Sequence, residues 1–236
     1  MDGVMFMHNP RLDALRAVLD DAAQFGELRR VVSDFGFPGD DAFMGEDGSG
    51  GNIRVNKTLE PLGCLGDLGV YNIRLAMFAF GWTMPTAVRG FYNTVRNSVA
   101  IDMTSTLTFG PGRTSTFTNS FETAFRQHAA FVGTKQSIEL TDFCLSEATC
   151  GYTHYLEHGL AESDRGVVKV VEEKRVAMAA PQEVLMWEKF AQLHTVRGTE
   201  KGDAEIAWFA SIALNTQRVV NALIESADAG GVEVAL

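Results

Sequence analysis

The 236-residue chain has few positive charges and no long apolar run. Twenty basic residues stand against thirty acidic ones, which leaves a net charge of −10 at pH 7. This charge repels a nucleic-acid backbone on average, and the Lys and Arg residues are scattered rather than gathered on one face. No apolar run approaches the roughly 20 residues of a membrane helix, and no basic region followed by a hydrophobic one opens the chain. We therefore expect a cytoplasmic protein without nucleic-acid or membrane partners.

The chain also has only three cysteines, Cys64, Cys144 and Cys150. They are odd in number and follow no spacing typical of zinc sites, so we expect reduced thiols. The segment His154–His158 matches the zinc pattern H-x-x-E-H. That pattern needs a helix to align both imidazoles and a third ligand further on, and glycines flank the segment on both sides. We therefore expect a loop or strand edge here and predict no metal site.

What remains is the composition of a folded domain. The chain is 46% hydrophobic and 21% charged, which excludes an intrinsically disordered protein. A chain of this length can bury one sizeable core, so we expect residues 1–236 to form a single domain. The N-terminal pattern predicts a strand over Val4–His8, a helix capped by Asn9 that stops near Gly26, and a strand over Leu28–Phe37.

Residues 38–51 are mainly Pro, Gly, Asp, Glu and Ser, which predicts a loop. The glycine-rich end of this segment, 45–51, lacks the order G-x-G-x-x-G and does not follow a buried parallel strand. We therefore interpret it as a flexible stretch rather than a phosphate-binding loop.

The segment Asn52–Gly81 is a glycine-rich approach that opens into a helix. Asp67 falls in the first turn and Tyr71 four residues later, so both side chains can share one face. Asp67 can be a purely structural helix cap, or the two residues can move a proton if a nearby cation lowers the pKa of the phenol. Arg54 can bind a carboxylate or phosphate, or form a surface ion pair. The residues by themselves leave these alternatives open.

An alternation follows. Apolar residues fall on odd positions and mainly threonines on even positions; the apolar residues are Val99, Ile101, Met103, Leu107 and Phe109. Gly110–Gly112 predicts a turn, and further strands are expected up to residue 143. Residues 144–180 show no clear pattern. Later helices are predicted from Pro181, with Met186, Phe190 and Leu193 on one side, and over Ile206–Ala227, before a short strand at Val232–Leu236. The predicted fold is α+β, an open, mainly antiparallel β-sheet with helices packed on one face.

Three segments together resemble the C-terminal half of the Gfo/Idh/MocA oxidoreductases, closest to uncharacterised plant and algal relatives. They are Met5–Arg11, Asn52–Arg54 and Leu62–Tyr71, with supporting likeness at Gly133–Ser137 and Pro181–Glu183. The resemblance implies a dihydrodipicolinate-reductase-like α+β domain for substrate binding and dimerisation. In the family an N-terminal Rossmann domain carries NAD or NADP, and the open sheet often forms a homo-oligomer interface.

The resemblance also implies roles for individual residues. The family motif D-x-G-x-H/Y falls on Asp67 and Tyr71, which makes Tyr71 the expected proton donor or acceptor and Asp67 its catalytic partner. Arg54 and Asn72, together with Asn9 and Arg11, are the expected substrate-binding residues. The family's G-x-G-x-x-G fingerprint and its E-K-P lysine are absent from this sequence, so we expect the Rossmann domain to be missing and the chain by itself to bind no cofactor.

Two hypotheses follow from the resemblance. In the first, the chain is the substrate and dimerisation part of an NAD(P)-dependent oxidoreductase that acts on the CH–OH groups of a sugar, polyol or diol, and is inactive by itself. In the second, it is a non-catalytic module of the same fold that dimerises through its sheet.

Overall fold

A computed structural model describes residues 1–45, 51–146, 151–163 and 166–236. The chain forms two compact units. Unit 1 comprises Met1–Arg29 with Ala129–Asn215, and unit 2 comprises Arg30–His128 with Thr216–Leu236. The boundaries between the units fall within elements β1, β5 and α5.

The helices and strands of the described residues are numbered in chain order. The helices are α1 (Arg11–Asp20), α2 (Asp41–Met44), α3 (Val70–Ala79), α4 (Gln182–Val196) and α5 (Glu200–Asp228). The strands are β1 (Leu28–Gly36), β2 (Ala87–Arg96), β3 (Val99–Thr108), β4 (Thr114–Ser120), β5 (Arg126–Gly133), β6 (Ser137–Leu140), β7 (Tyr152–Ser163), β8 (Gly166–Ala177) and β9 (Val234–Ala235). Short 3₁₀ turns form at Met5–His8 and Ile53–Val55, and a π-helical turn forms at Leu65–Gly69.

The strands of unit 2 have the order β1-β4-β3-β2-β9. All neighbours are antiparallel except β1 and β4, which pair in parallel with Val31 opposite Ser115 and Phe35 opposite Asn119. A simple meander would instead have placed β5 beside β4. Adjacency along the chain favours pairing but does not enforce it, and here β1 rather than β5 lies beside β4. The predicted fold class, α+β with an open and mainly antiparallel sheet, is confirmed.

The buried face of unit 2 is the odd-numbered face that the alternation predicts. Val99, Ile101, Met103 and Leu107 of β3 are all fully buried, and so are the inward residues of β4 that follow the turn. The turn itself requires glycine, because Gly110 and Gly112 both have positive φ. Helix α3 packs against this face, while the threonine-rich even positions of β3 and β4 are less buried.

The strands of unit 1 have the order β5-β6-β7-β8 and are antiparallel throughout. The long β7–β8 hairpin occupies the region in which the sequence shows no pattern. The H-x-x-E-H segment lies on β7, so His154 and His158 project to one side of the strand and Glu157 to the other. The helix that zinc binding would need is therefore absent from this segment, and no group of three or more candidate metal ligands occurs among the described residues.

Several predicted elements of unit 1 are wrong or misplaced. Val4–His8 is not a strand, because Met5–His8 forms a 3₁₀ turn in which Phe6 is the buried residue. A short, mainly apolar run fits such a turn as well as a strand. Asn9 does cap α1, since its side-chain oxygen accepts the Arg11 amide at 3.0 Å, but the helix ends at Asp20, well before Gly26.

The later helices are confirmed with different limits and faces. Helix α5 begins six residues earlier than predicted, at Glu200. In α4 the predicted apolar side is only partly buried, because Leu193 is enclosed but the Phe190 side chain is 50% exposed. The predicted 38–51 loop contains the short helix α2, capped by Asp40, and residues 46–50 of its glycine-rich end lie outside the described residues.

Two of the three cysteines can be placed. Cys64 and Cys144 are buried free thiols, as predicted, whereas Cys150 lies outside the described residues. Burial raises the pKa of the Cys64 thiol, which therefore stays protonated and unreactive at neutral pH. Within the described part of the chain, no helix combines the length and the apolar character needed to cross a membrane.

Candidate active site

The candidate site of unit 2 is built where the chain enters α3. The π-helical turn Leu65–Gly69 runs without a break into α3, and such single turns occur frequently at functional sites. The approach to this turn is held by Gly63, whose φ is +57° and whose position leaves no room for a Cβ beside the Ala100 carbonyl. Only glycine satisfies both conditions, so the glycine-rich pattern has a structural cause.

Arg54 and Asp67 meet at this turn. The Arg54 Nε lies 2.6 Å from the Asp67 Oδ1, and the two side chains are 40% and 21% exposed. The Asn52 side chain positions the arginine by accepting the Arg54 amide at 3.1 Å. Thus the cation that the sequence left unassigned beside Asp67 is Arg54, and the pair remains open to a ligand from solvent.

Tyr71 is the second residue of α3 and is half-buried. Its ring packs edge-to-face on Phe35 of β1, with centroids 5.8 Å apart. It follows Asp67 by four residues on continuous helical backbone, so the two side chains leave the helix on the same side. Arg54, Asp67 and Tyr71 therefore belong to one small region of unit 2.

Asn72, the residue after Tyr71, faces the sheet and is fully buried. Its side-chain amide donates to the Ser33 hydroxyl of β1 at 2.8 Å, and its carbonyl accepts from Asn119 of β4 at 2.8 Å. Each of these three residues is at most 2% exposed. This polar chain fixes the start of α3, and hence Tyr71, to the parallel strand pair.

The same region is tightly packed. A Cβ on Gly69 would lie 2.5 Å from the Leu65 side chain and 2.9 Å from the Asn119 carbonyl oxygen, so no larger residue fits without a shift. That oxygen is buried and has no hydrogen-bond partner among the described residues. The junction between the π-helical turn and α3 therefore has little freedom to move.

Asn9 and Arg11 form a separate cluster in unit 1. The Arg11 guanidinium is 1% exposed and binds the Asp142 carboxylate at 2.5 Å, as well as the carbonyl oxygens of Asp142, Phe143 and His154. Burial lowers the pKa of Arg11, and the nearby Asp142 opposes that shift. Asn9 Nδ2 donates to Ser146 at 2.7 Å and to Gln182 at 3.2 Å. Several of the polar atoms of both residues are thus bound by protein atoms.

A dinucleotide needs a buried strand that turns through glycines directly into a helix N-terminus. In the described residues α3 follows a π-helical turn rather than a strand, and α2, which follows β1, is only four residues long. The groups that are present therefore do not fit a dinucleotide phosphate.

Sequence reasoning missed four residues that support these clusters, Ser33, Asn119, Asp142 and Gln182. A signal existed for two of them. Ser33 and Asn119 occupy odd positions in β1 and β4, where the pattern predicts apolar inward residues, and a polar residue on a buried face requires a partner. Asp142 and Gln182 lie far from Arg11 and Asn9 along the chain and carry no such signal.

The described fold is α+β with an open, mainly antiparallel sheet. The family model of the GFO/IDH/MocA C-terminal domain matches residues 13–139, more than half of the chain. The chain belongs to this family.

Solved structures with the same fold include the following three. An aldose–aldose oxidoreductase from Caulobacter crescentus in complex with glycerol has a TM-score of 0.75 at 20% identity, over 99% of this chain and 63% of its own. An inositol dehydrogenase homologue from Azotobacter vinelandii in complex with NAD⁺ has a TM-score of 0.72 at 18% identity. The match covers 99% of this chain and 64% of that homologue. A 3-ketoreductase from Actinomadura kijaniata in complex with TDP-benzene and NADP has a TM-score of 0.67 at 20% identity. The match covers 96% of this chain and 61% of that reductase. The chain thus spans less than two thirds of the length of each.

Proposed function

We propose that the chain is the substrate and dimerisation part of an NAD(P)-dependent oxidoreductase that acts on the CH–OH groups of a sugar, polyol or diol. The observation that carries this proposal is the Arg54–Asp67 pair at the turn that leads into α3, with Tyr71 four residues beyond Asp67. The family and the three structural relatives, which bind glycerol, NAD⁺ or NADP, support it.

In this proposal the residues of the chain act on the substrate hydroxyl. Tyr71 donates a proton to the oxygen, or accepts one from it, according to the direction of the reaction. Asp67 accepts a hydrogen bond from a neighbouring hydroxyl. Arg54 holds the carboxylate in place through its Nε, while its Nη1 donates to the Asn52 side chain at 3.4 Å. Because Asp67 neutralises Arg54 at 2.6 Å, the pair favours an uncharged polyol over a phosphorylated one.

Asn72 has an indirect role in this proposal. Its buried hydrogen bonds to Ser33 and Asn119 keep the helix that carries Tyr71 at a fixed distance from the sheet. The substrate contacts predicted for Asn9 and Arg11 stay predictions, since the known partners of these side chains are protein atoms.

The chain is expected to bind no dinucleotide by itself. Isothermal titration of the 236-residue chain with NAD⁺ and NADP⁺ tests this, and binding at micromolar affinity would contradict it. In a two-domain protein that contains this chain, Tyr71→Phe keeps the ring contact with Phe35 and removes the hydroxyl. We expect a loss of about 10² or more in turnover, the usual scale for a lost general acid or base.

A matched tyrosine provides the control for this substitution. Tyr92 lies in the same unit, and its hydroxyl donates to Asp228 at 3.0 Å. Tyr92→Phe should leave turnover within about twofold of the unmodified protein. Equal turnover in the Tyr71→Phe and Tyr92→Phe proteins would remove Tyr71 from the mechanism.

The non-catalytic dimerising module remains the second candidate because unit 2 keeps one sheet face open. This face carries a cleft of about 620 Å³ lined by β1, β4 and the residues just before β5. Val32 and Phe125, which line the cleft, are 44% and 58% exposed. We propose a second copy of the chain as the partner of this face in either case, and sedimentation of the purified chain as a strict monomer would contradict that.

A further inference from the structure

Strand β8 is an outer edge of the sheet in unit 1. It pairs with β7 along its whole length, with Ser163 opposite Gly166 at one end and Tyr152 opposite Ala177 at the other. On its other side no strand of the described chain lies beside it. Because alternate amide and carbonyl groups of an edge strand point away from the sheet, they offer a template for pairing with another strand.

The outer part of the β7–β8 hairpin consists of two strands only. Strand β6 pairs with β7 from Leu156 to His158 and not beyond, so the described structure places no third strand beside residues 159–163. The valines of the facing half of β8 are 42% to 67% exposed; they are Val167, Val168, Val170 and Val171. A two-stranded hairpin is at best marginally stable in water, and a row of exposed valines on an edge favours the addition of a strand.

The charges of β8 restrict the registers in which it can pair with a second copy of itself. In an antiparallel pair related by a two-fold axis, residues at equal distances on either side of one central residue lie opposite each other. A centre at Lys169, or at any residue of the charged run Glu172–Arg175, brings two like charges together at the axis. Like charges directly opposite each other destabilise a strand pair, so these registers are disfavoured.

A centre at Val171 avoids this repulsion. It places Val171 opposite its own copy and Lys169 opposite Glu173 of the second copy, and the Lys–Glu contact occurs twice. No like charges lie directly opposite each other over the overlap Gly166–Val176. The Glu173 carboxylate already accepts from Arg175 at 2.9 Å, and a carboxylate has the capacity to accept a further donor. A centre at Val170 gives a shorter overlap and no contact between opposite charges.

We propose that β8 pairs antiparallel with β8 of a second copy of the chain, with Val171 on the two-fold axis. The two hairpins then form one four-stranded sheet, in which each row of valines gains neighbours across the interface. This contact uses the strand edge of unit 1 and is distinct from the open sheet face of unit 2. It does not depend on the reaction proposed above.

Cysteine cross-linking of the full chain tests the register. Cys150→Ser is introduced in every variant so that, with Cys64 and Cys144 buried, the added thiol is the one that reacts. Val171→Cys sets two thiols opposite each other across the axis, and oxidation with copper phenanthroline should give a dimer that a reducing agent reverses.

Val167→Cys is the matched control for cross-linking. Val167 lies on the same strand and is more exposed than Val171, at 67% against 49%, so random collisions favour it. In the proposed register its two copies lie about 27 Å apart along the strands, which is far beyond the reach of a disulfide. This variant should therefore stay uncrosslinked under the same conditions.

Charge reversal tests the two Lys169–Glu173 contacts. Lys169→Glu places like charges at both, and the dissociation constant of the dimer from sedimentation equilibrium should rise about tenfold or more. Lys169→Glu/Glu173→Lys restores opposite charges and should return the constant to within about threefold of the unmodified value. Arg197→Glu, at an exposed position of unit 1 outside β8, changes the net charge equally and should leave the constant unchanged. Circular dichroism verifies that each variant folds.

Four results overturn the proposal. The first is a chain that sediments as a monomer, and the second is cross-linking of the Val167→Cys protein as fast as that of the Val171→Cys protein. The third is a dimer whose dissociation constant Lys169→Glu leaves unchanged, which would place the dimer contact on another surface, such as the sheet face of unit 2. The fourth is a Lys169→Glu/Glu173→Lys protein that dimerises no better than the single variant, because the two residues then do not face each other.

Discussion

Each unit of the chain contains an Arg–Asp pair of nearly equal length, and the two pairs differ in burial. Arg11 and Asp142 in unit 1 lie 2.5 Å apart with 1% and 15% exposure, whereas Arg54 and Asp67 in unit 2 lie 2.6 Å apart with 40% and 21%. Arg11 also binds three backbone carbonyls, so it joins separate segments of unit 1. The Arg11–Asp142 pair thus connects segments of the unit 1 interior, whereas the Arg54–Asp67 pair is accessible to solvent.

Burial decides what each pair contributes. In a buried pair, the attraction between the two charges offsets the cost of removing them from water. Removal of one partner leaves the other charge uncompensated and strongly lowers the stability. A half-exposed pair is screened by water and contributes little to stability. Its charges remain available to a ligand. The comparison predicts opposite outcomes for matched substitutions in the two pairs.

The largest effect is expected for Arg11→Met. The substitution keeps much of the side-chain volume but leaves the Asp142 carboxylate and three carbonyl groups without their donor. We expect the free energy of unfolding to fall by about 3–5 kcal/mol, measured by urea denaturation. Arg11→Met/Asp142→Leu should recover part of the loss, because the uncompensated charge is then removed as well. A decrease in the free energy of unfolding below about 1 kcal/mol would show that the Arg11–Asp142 pair does not stabilise unit 1.

An intermediate effect is expected for Asn72→Ala, which tests the buried hydrogen bonds of unit 2. Ser33 and Asn119 then lose their shared partner in a buried site, and the free energy of unfolding should fall by about 2 kcal/mol. Asn119→Ala should cost a similar amount. The double variant should cost clearly less than the sum, since both substitutions remove the same hydrogen bond. Additive losses would mean that the three residues do not act as one chain of hydrogen bonds.

The smallest effect on stability is expected for Arg54→Ala, at no more than about 1 kcal/mol. Arg96→Ala is the matched control, because Arg96 pairs with Glu122 at 2.9 Å with a nearly equal exposure of 42%. The two variants should unfold alike. In a two-domain enzyme, however, Arg54→Ala should lower turnover while Arg96→Ala should not. Equal turnover would reduce the Arg54–Asp67 pair to a surface ion pair.

The sequence predicted unit 2 better than unit 1. The period-two alternation of β3 and β4 is a local signal, and the burial of Val99 to Leu107 follows it at every position except Ala100. The β7–β8 hairpin has no such signal, because β8 is exposed along nearly its whole length and its valines and charges follow no two-sided pattern. Phe190 of α4 misled the prediction for a different reason: it lies on the predicted apolar side but is 50% exposed, and an apolar helical face predicts burial whether or not a partner is present.

For the candidate site, the sequence by itself determined Asp67 and Tyr71 as two side chains on one face at the start of a helix, because helical spacing is a property of the local backbone. It also carried a signal for Ser33 and Asn119, as polar residues at inward positions of strands, but we made no prediction from that signal. Only the tertiary structure decided that Arg54 is the cation beside Asp67, that β1 pairs in parallel with β4, and that Arg11 is bound by Asp142. These contacts join residues far apart in sequence, and their formation depends on how separate elements pack, which no local pattern encodes.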